Sequence, residues 1–190
     1  YLSHELFTDQ NLKIKIDNNL FSNTNVEIIG DKKPSIKFIS DPIMVNSVSL
    51  QFSTIAEDDY RIKKINATFS KPKDFEHFLE KNLTYDLPTS TENEMRSAKS
   101  LFYANMTSHI WAGHETVLKV TVFDDLDQKG EILKRVILPQ KKLSSPVAKE
   151  IYTIRSNLAK LNIPLNTAKK MINKIYFEHD TLFENDFINN

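Results

Sequence analysis

Cysteine is absent from the 190 residues. That removes disulfides, thiolate nucleophiles and Cys-ligated zinc. It says little about compartment, because a chain of this size needs no covalent staples. Glycine is scarce, with only Gly30, Gly113 and Gly130. A phosphate-cradling loop needs clustered glycines so that the backbone can approach its ligand. Walker A and dinucleotide-binding loops are therefore excluded, and the serine-hydrolase elbow G-x-S-x-G is missing as well. Charge of one sign is also lacking: 25 Lys and Arg balance 25 Asp and Glu. A neutral chain has no basic footprint for nucleic acid, so no such partner is expected. No apolar run approaches the ~18 residues that a spanning helix needs. Nothing in the residues calls for a cofactor.

What is present is alternation. Leu12, Ile14 and Ile16 alternate with polar residues, and "NLKIKIDNNLFSNTNVEI" at 12–29 reads as two short strands around an Asn-rich turn. "GDKKP" at 30–34 is a turn signal, and Ile36 and Phe38 alternate after it up to Asp41-Pro42. Val48, Leu50 and Phe52 share one face of the next run, and Ile65, Ala67 and Phe69 continue the pattern. Residues 70–100 are harder: "KDFEHFLEKNLTYDLP" fits an irregular strand or one helical turn, and "TSTENEMRSAKS" a polar loop. "LFYANMTSHIW" regains strand character, and "ETVLKVTVFDDLDQKGEILKRVILP" is the clearest hairpin. In its first arm Leu118, Val120 and Val122 face away from Val117.

The period then changes. Ser145-Pro146 combines a hydroxyl N-cap with a proline whose missing N–H costs nothing there. Val147, Ile151, Ile154, Leu158 and Leu161 follow as one helical stripe, and Leu165, Ala168, Ile172 and Ile175 as a second beyond "NIP". A break this short predicts a helical hairpin. Strands first and helices last predict a mainly β chain. Residues 1–29 end a preceding β-unit, 30–140 form an immunoglobulin-like β-sandwich, and 141–190 form a C-terminal α-helical hairpin. The chain starts at Tyr1 rather than Met, and "TLFENDFINN" still carries Leu182, Phe183 and Phe187, as expected of a piece of a longer parent.

Two acidic turns are the candidate ion sites. Glu57, Asp58 and Asp59 lie between two apolar runs, and clustered carboxylates suit hard cations. The competing reading is a strand-connecting turn, since Asp bonds its own backbone. Asp124, Asp125 and Asp127 precede Gly130. An EF-hand loop counted from Asp125 fails at position five, Lys129, and position twelve, Val136. A hairpin turn with Gly130 at positive φ is the expectation, and the two turns could meet at one sandwich end and share an ion through Asp58, Asp59, Asp125 and Asp127. His4, His77, His109, His114 and His179 form no H-E-x-x-H, because Leu118 stands where the second histidine would be. Trp111 is expected to pack a corner of the core. The sequons at Asn66, Asn82 and Asn105 are expected by chance in an Asn-rich chain, and the Lys-rich 149–174 stretch is a solvated face.

The ordered series "DKKPSIKF", "AEDDYRI", "HIWAG", "VFDDLDQKG", "ILP" and "SPVAKEIYTIRSNLA" resembles the domain of unknown function 4175, a family of large alphaproteobacterial envelope proteins. The resemblance runs from residue 31 to about 160. It falls on Pro34, Ile36, Ala56, Asp58, Asp59, Tyr60, His109, Trp111, Ala112 and Gly113. It continues on Gly130, Pro139, Pro146, Ala148, Ile151, Arg155 and Leu158. Lys33 departs from a family proline, Ile110 from another, and Arg61 from a turn glycine. The resemblance implies a parent anchored by helices outside this chain, with this segment on the periplasmic face of the inner membrane. It carries over no catalytic residue. The expected function is thus a non-catalytic module contacting another envelope protein. The alternatives are an enzyme or accessory domain acting on cell-wall polymer, or a calcium-stiffened adhesive module.

Overall fold

Alternating apolar positions in the computed structural model become strands wherever one face can be buried, and residues 8–16, 19–75, 82–92 and 96–178 are described. His4, His77, His179 and the apolar residues of 182–187 lie outside them. The chain divides into two compact units, Tyr1–Lys32 and Lys33–Asn190. In the first, β1 (Gln10–Ile16) and β2 (Asn19–Val26) pair antiparallel, with an irregularity between Ile14 and Lys15.

The second unit holds two four-stranded antiparallel sheets. Its strands are β3 (Ser35–Val45), β4 (Ser49–Glu57), β5 (Ile62–Phe69) and β6 (Leu83–Asp86). They continue with β7 (Thr89–Glu92), β8 (Ser97–Asn105), β9 (Glu115–Asp124) and β10 (Lys129–Ile137). One sheet has the order β3-β4-β8-β7, the other β10-β9-β5-β6. Strands one, two, five and six of the sandwich thus face strands three, four, seven and eight, the immunoglobulin-like partition. The polar stretch 89–100 was expected to be a loop. It instead supplies β7 and the start of β8, because Ala98 and Ser100 turn inward while Lys99 stays out. A 3₁₀ turn, Lys73–Phe75, buries Phe75.

β3 runs through Asp41-Pro42 rather than stopping there. It is an edge strand, where a proline forfeits no needed ladder bond. Register shifts at Phe38/Ser40 and Ser40/Ile43 absorb the extra residues. There the Ser40 hydroxyl accepts from the Ser53 N–H at 3.0 Å and lies 2.7 Å from the Ser53 hydroxyl. β3 and β10 close one side of the sandwich, where Lys134 reaches Asp41 at 3.1 Å. A Cβ on Gly130 would collide with the Pro34 carbonyl oxygen.

The core lies between the sheets. Phe52 and Phe102 stack with centroids 4.8 Å apart, Phe38 meets Phe52 edge-on, and Phe69 and Tyr85 flank Phe102. Such offset and edge contacts add about 0.5–1.5 kcal/mol each beyond the area buried. Two buried hydroxyls, Thr54 and Ser100, satisfy each other across β4 and β8 at 2.7 Å. Leu118, Val120 and Val122 point inward as their alternation predicts.

Helix α1 (Pro146–Ala159) starts where its cap and proline place it, the Ser145 hydroxyl accepting from the Ala148 N–H at 3.4 Å. α2 (Leu165–Glu178) follows a short break. Ile154, Ala168 and Ile175 form a core between them, and Ala159 joins the sandwich core instead. The stripes are only partly buried: Leu161, Leu165 and Ile172 remain exposed.

Candidate functional site

The two acidic turns do lie together at one end of the sandwich, and what joins them is the chain's own positive charge. Arg61 reaches Asp125 at 3.7 Å and Lys63 reaches Asp127 at 2.7 Å. That contact holds the Asp127 carboxyl below its usual range, first by hydrogen bond and then by charge, and raises Lys63 in return. Among the described residues, Asp125 and Asp127 do not converge with Asp58 and Asp59 on one point. Asp58 organises its own turn: one carboxylate oxygen accepts from the N–H groups of Tyr60 (3.1 Å) and Arg61 (2.6 Å). Arg61 keeps an ordinary φ, so the turn does not need a glycine at that position. Tyr60 itself is exposed.

In the second turn Asp124 is buried, and its Oδ1 accepts from the Gln128 N–H at 2.8 Å. The positive φ expected at Gly130 belongs to Asp127, at 60°. Gly130 is instead required by the close approach of the Pro34 carbonyl, which leaves no room for a side chain. No sequence signal separated these two reasons for a glycine, because one is local and the other comes from a residue far along the chain.

A second constellation gathers the remaining family positions. The strand expected over 101–111 stops at Asn105, and residues 106–114 fold into successive turns. Ala112 N–H donates to the His109 carbonyl at 3.0 Å and His114 N–H to that of Trp111 at 3.0 Å. Trp111 is fully buried, as its corner-packing role predicts, with the His109 ring edge-on 4.7 Å away. Gly113 adopts φ +80°, a conformation that L side chains avoid. Helix α1 docks on this turn: the Tyr152 hydroxyl donates to the Ala112 carbonyl at 2.8 Å and Arg155 Nη2 to the Ser108 carbonyl at 2.9 Å. Burial raises the Tyr152 phenol, partly offset by the charge of Arg155. Pro34 is buried just before β3, and Pro146 opens α1.

The third feature went unnoticed in the sequence. Ile39, Ile43, Leu101 and Tyr103 lie on the outward face of the β3-β4-β8-β7 sheet, each 53–56% exposed. Register places Ile43 beside Gln51 and Tyr103 beyond it. Ser40 lies beside Ser53, with Leu101 beyond. Small Ser53 leaves a shallow groove of 470 Å³ between Ile39 and Leu101, rimmed by Ser90 and Lys99. The opposite outer face also exposes Val117, Leu133 and Ile137, but sets them among ion pairs. There Lys119 and Lys129 pair with Glu131, and Arg135 with Glu115. One signal was available: Leu101, Phe102 and Tyr103 are consecutive, so one of their two faces had to leave apolar groups in water.

The model of the family described as "Domain of unknown function (DUF4175)" matches residues 2–188, wider than the 31–160 over which the motifs run. No curated protein matches the chain. Among solved structures, wild-type OgpA from Akkermansia muciniphila is similar at 9% identity and TM-score 0.42, over 58% of this chain and 29% of that one. OgpA from the same organism, catalytically inactive and in complex with an O-glycopeptide substrate, gives 9% identity and TM-score 0.40, over 58% and 30%. Spo0M, a sporulation control protein of Bacillus subtilis, gives 13% identity and TM-score 0.33, over 68% and 56%. The chain thus spans about three-tenths of the OgpA structures that it matches.

Proposed function

The chain belongs to the domain of unknown function 4175 family, and we propose that it serves there as a non-catalytic interaction module. Its contact surface is the outward face of β3-β4-β8-β7, its partner another envelope protein, and its place the periplasmic face of the inner membrane. The parent is anchored by helices outside this chain. The observation that carries this reading is the apolar group Ile39, Ile43, Leu101 and Tyr103. Exposed apolar side chains scattered singly need no explanation, but four on one outward sheet face, with Ile39 and Leu101 lining a groove, favour a contact surface. Burying such a group contributes about 25 cal/mol per Å² of apolar area.

A photo-crosslinking residue placed at Tyr103 in the parent protein tests the surface, with the same residue at Lys119 on the opposite face as control. A discrete adduct in cells from position 103 and none from 119 is expected; equal labelling removes the reading. Location is tested separately. The chain has no cysteine, so Leu126→Cys, at an exposed turn, adds a thiol whose labelling is read against the parent without the substitution. A maleimide that cannot cross the inner membrane should label it from the periplasmic side.

A further inference from the structure

Two adjoining grooves run along α1 where it meets the linker that follows β10. The first, 460 Å³, is lined by Ser108, Lys141, Leu143, Ile151, Tyr152 and Arg155, among others. The second, 340 Å³, shares Lys141, Leu143 and Tyr152 with it and adds Lys142 and Lys149. Four cations therefore border one continuous depression, and no Asp or Glu lines either part. In a chain with equal numbers of acids and bases, that is a strong local imbalance. The floor is apolar, from Leu143, Ala148 and Ile151.

Two of the polar groups are already fixed. Arg155 spends one donor on the Ser108 carbonyl, 2.9 Å away, and a guanidinium carries five. The others remain on a plane held in place, as bidentate capture of a carboxylate requires. Tyr152 is pinned to Ala112. A ligand entering here does not bear the cost of ordering these side chains.

We propose that this groove binds an extended acidic peptide segment, its carboxylates on Arg155 and the lysines and its aliphatic side chains on Ile151 and Leu143. A concave, apolar-floored site with charge on its rim suits a chain segment better than a flat anionic membrane, which meets cations without needing a groove. The site is separate from the outward sheet face, so its failure would leave the sheet-face reading standing, and the reverse.

The test is fluorescence anisotropy of a labelled hexapeptide of alternating Leu and Glu, titrated with the 190-residue chain. The same peptide with Gln for Glu is the neutral control. Binding of the Glu peptide alone is expected, weakening as salt rises. Arg155→Gln, which keeps a donor for Ser108, and Lys141→Glu should each weaken it about tenfold, a change of about 1.4 kcal/mol. Lys170→Glu, an exposed charge on α2, should change it less than about twofold, well under 1 kcal/mol. Absence of Glu-peptide binding overturns the proposal. So does an equal loss in Lys170→Glu, which would mean diffuse charge attraction. Binding of phosphatidylglycerol vesicles without binding of the peptide overturns it in favour of a membrane. Should Arg155→Gln melt early, Lys141→Glu decides alone, because Lys141 is exposed in the linker.

Discussion

The Tyr152 hydroxyl donates to the carbonyl of Ala112 at 2.8 Å, joining a helix to the turn that buries Trp111. Arg155, three residues on, repeats the contact at Ser108. This bond ties two motifs that are 40 residues apart in sequence. Tyr152→Phe removes it while keeping the ring. A loss of about 0.5–1.5 kcal/mol is expected, toward the lower end because the His114 ring also lies 3.1 Å from the Ala112 oxygen. Trp111 is the only tryptophan, so its emission during urea unfolding reads the change directly.

Gly130 should not tolerate alanine. The new methyl would meet the Pro34 backbone, which cannot rotate away as a side chain would. Overpacking of this kind costs about 1–3 kcal/mol. A drop in melting temperature for Gly130→Ala, with none for the open position Gly30→Ala, checks it.

The Lys63–Asp127 contact has a definite pH dependence. The Asp127 carboxyl is lowered in the fold, so its contribution is present above the ordinary carboxylate value, about 4, and lost as pH falls through the lowered value. Lys63 is raised, so its share persists until pH passes above the ordinary lysine value, about 10.4. Asp127→Asn removes the charge yet suits the left-handed φ of 60°. The melting difference from wild type should be small and flat across neutral pH, and should shrink in acid and in high salt.

Asp124 separates a cap from a charge. Asp124→Ala strips the acceptor from the Gln128 N–H and should cost about 1–3 kcal/mol. Asp124→Asn keeps that acceptor and should retain most of the stability. Chemical denaturation of both variants decides whether hydrogen bonding or charge holds this turn.

Leu101→Lys and Ile43→Glu place charges in water and should leave stability within about 0.5 kcal/mol while abolishing crosslinking from position 103. Loss of fold instead would show that these side chains belong to the core.

Much was legible in the residues alone. The period of two in β4, β5 and β9, and the period near four in α1 and α2, are local properties, and each fixes which face is apolar. Ser145-Pro146 marked a helix start because capping is satisfied within one turn. Asp58 was readable as a turn former for the same reason. Residues 89–100 were not legible as strands, since their polarity is compensated only by neighbours: Thr54 for Ser100, and β4 for Ala98. The purpose of Gly130 and of Arg61 was equally hidden, one set by Pro34 and the other by Asp125. The candidate surfaces are of this second kind. Sequence determined the strand and helix periods, and with them a mainly β chain ending in helices. Only the tertiary structure decided which apolar residues remain in water and which cations gather around one groove. The four cations lie in one stretch, 141–155, but the groove forms only where Tyr152 and Arg155 dock on Ala112 and Ser108, because exposure is a property of packed neighbours.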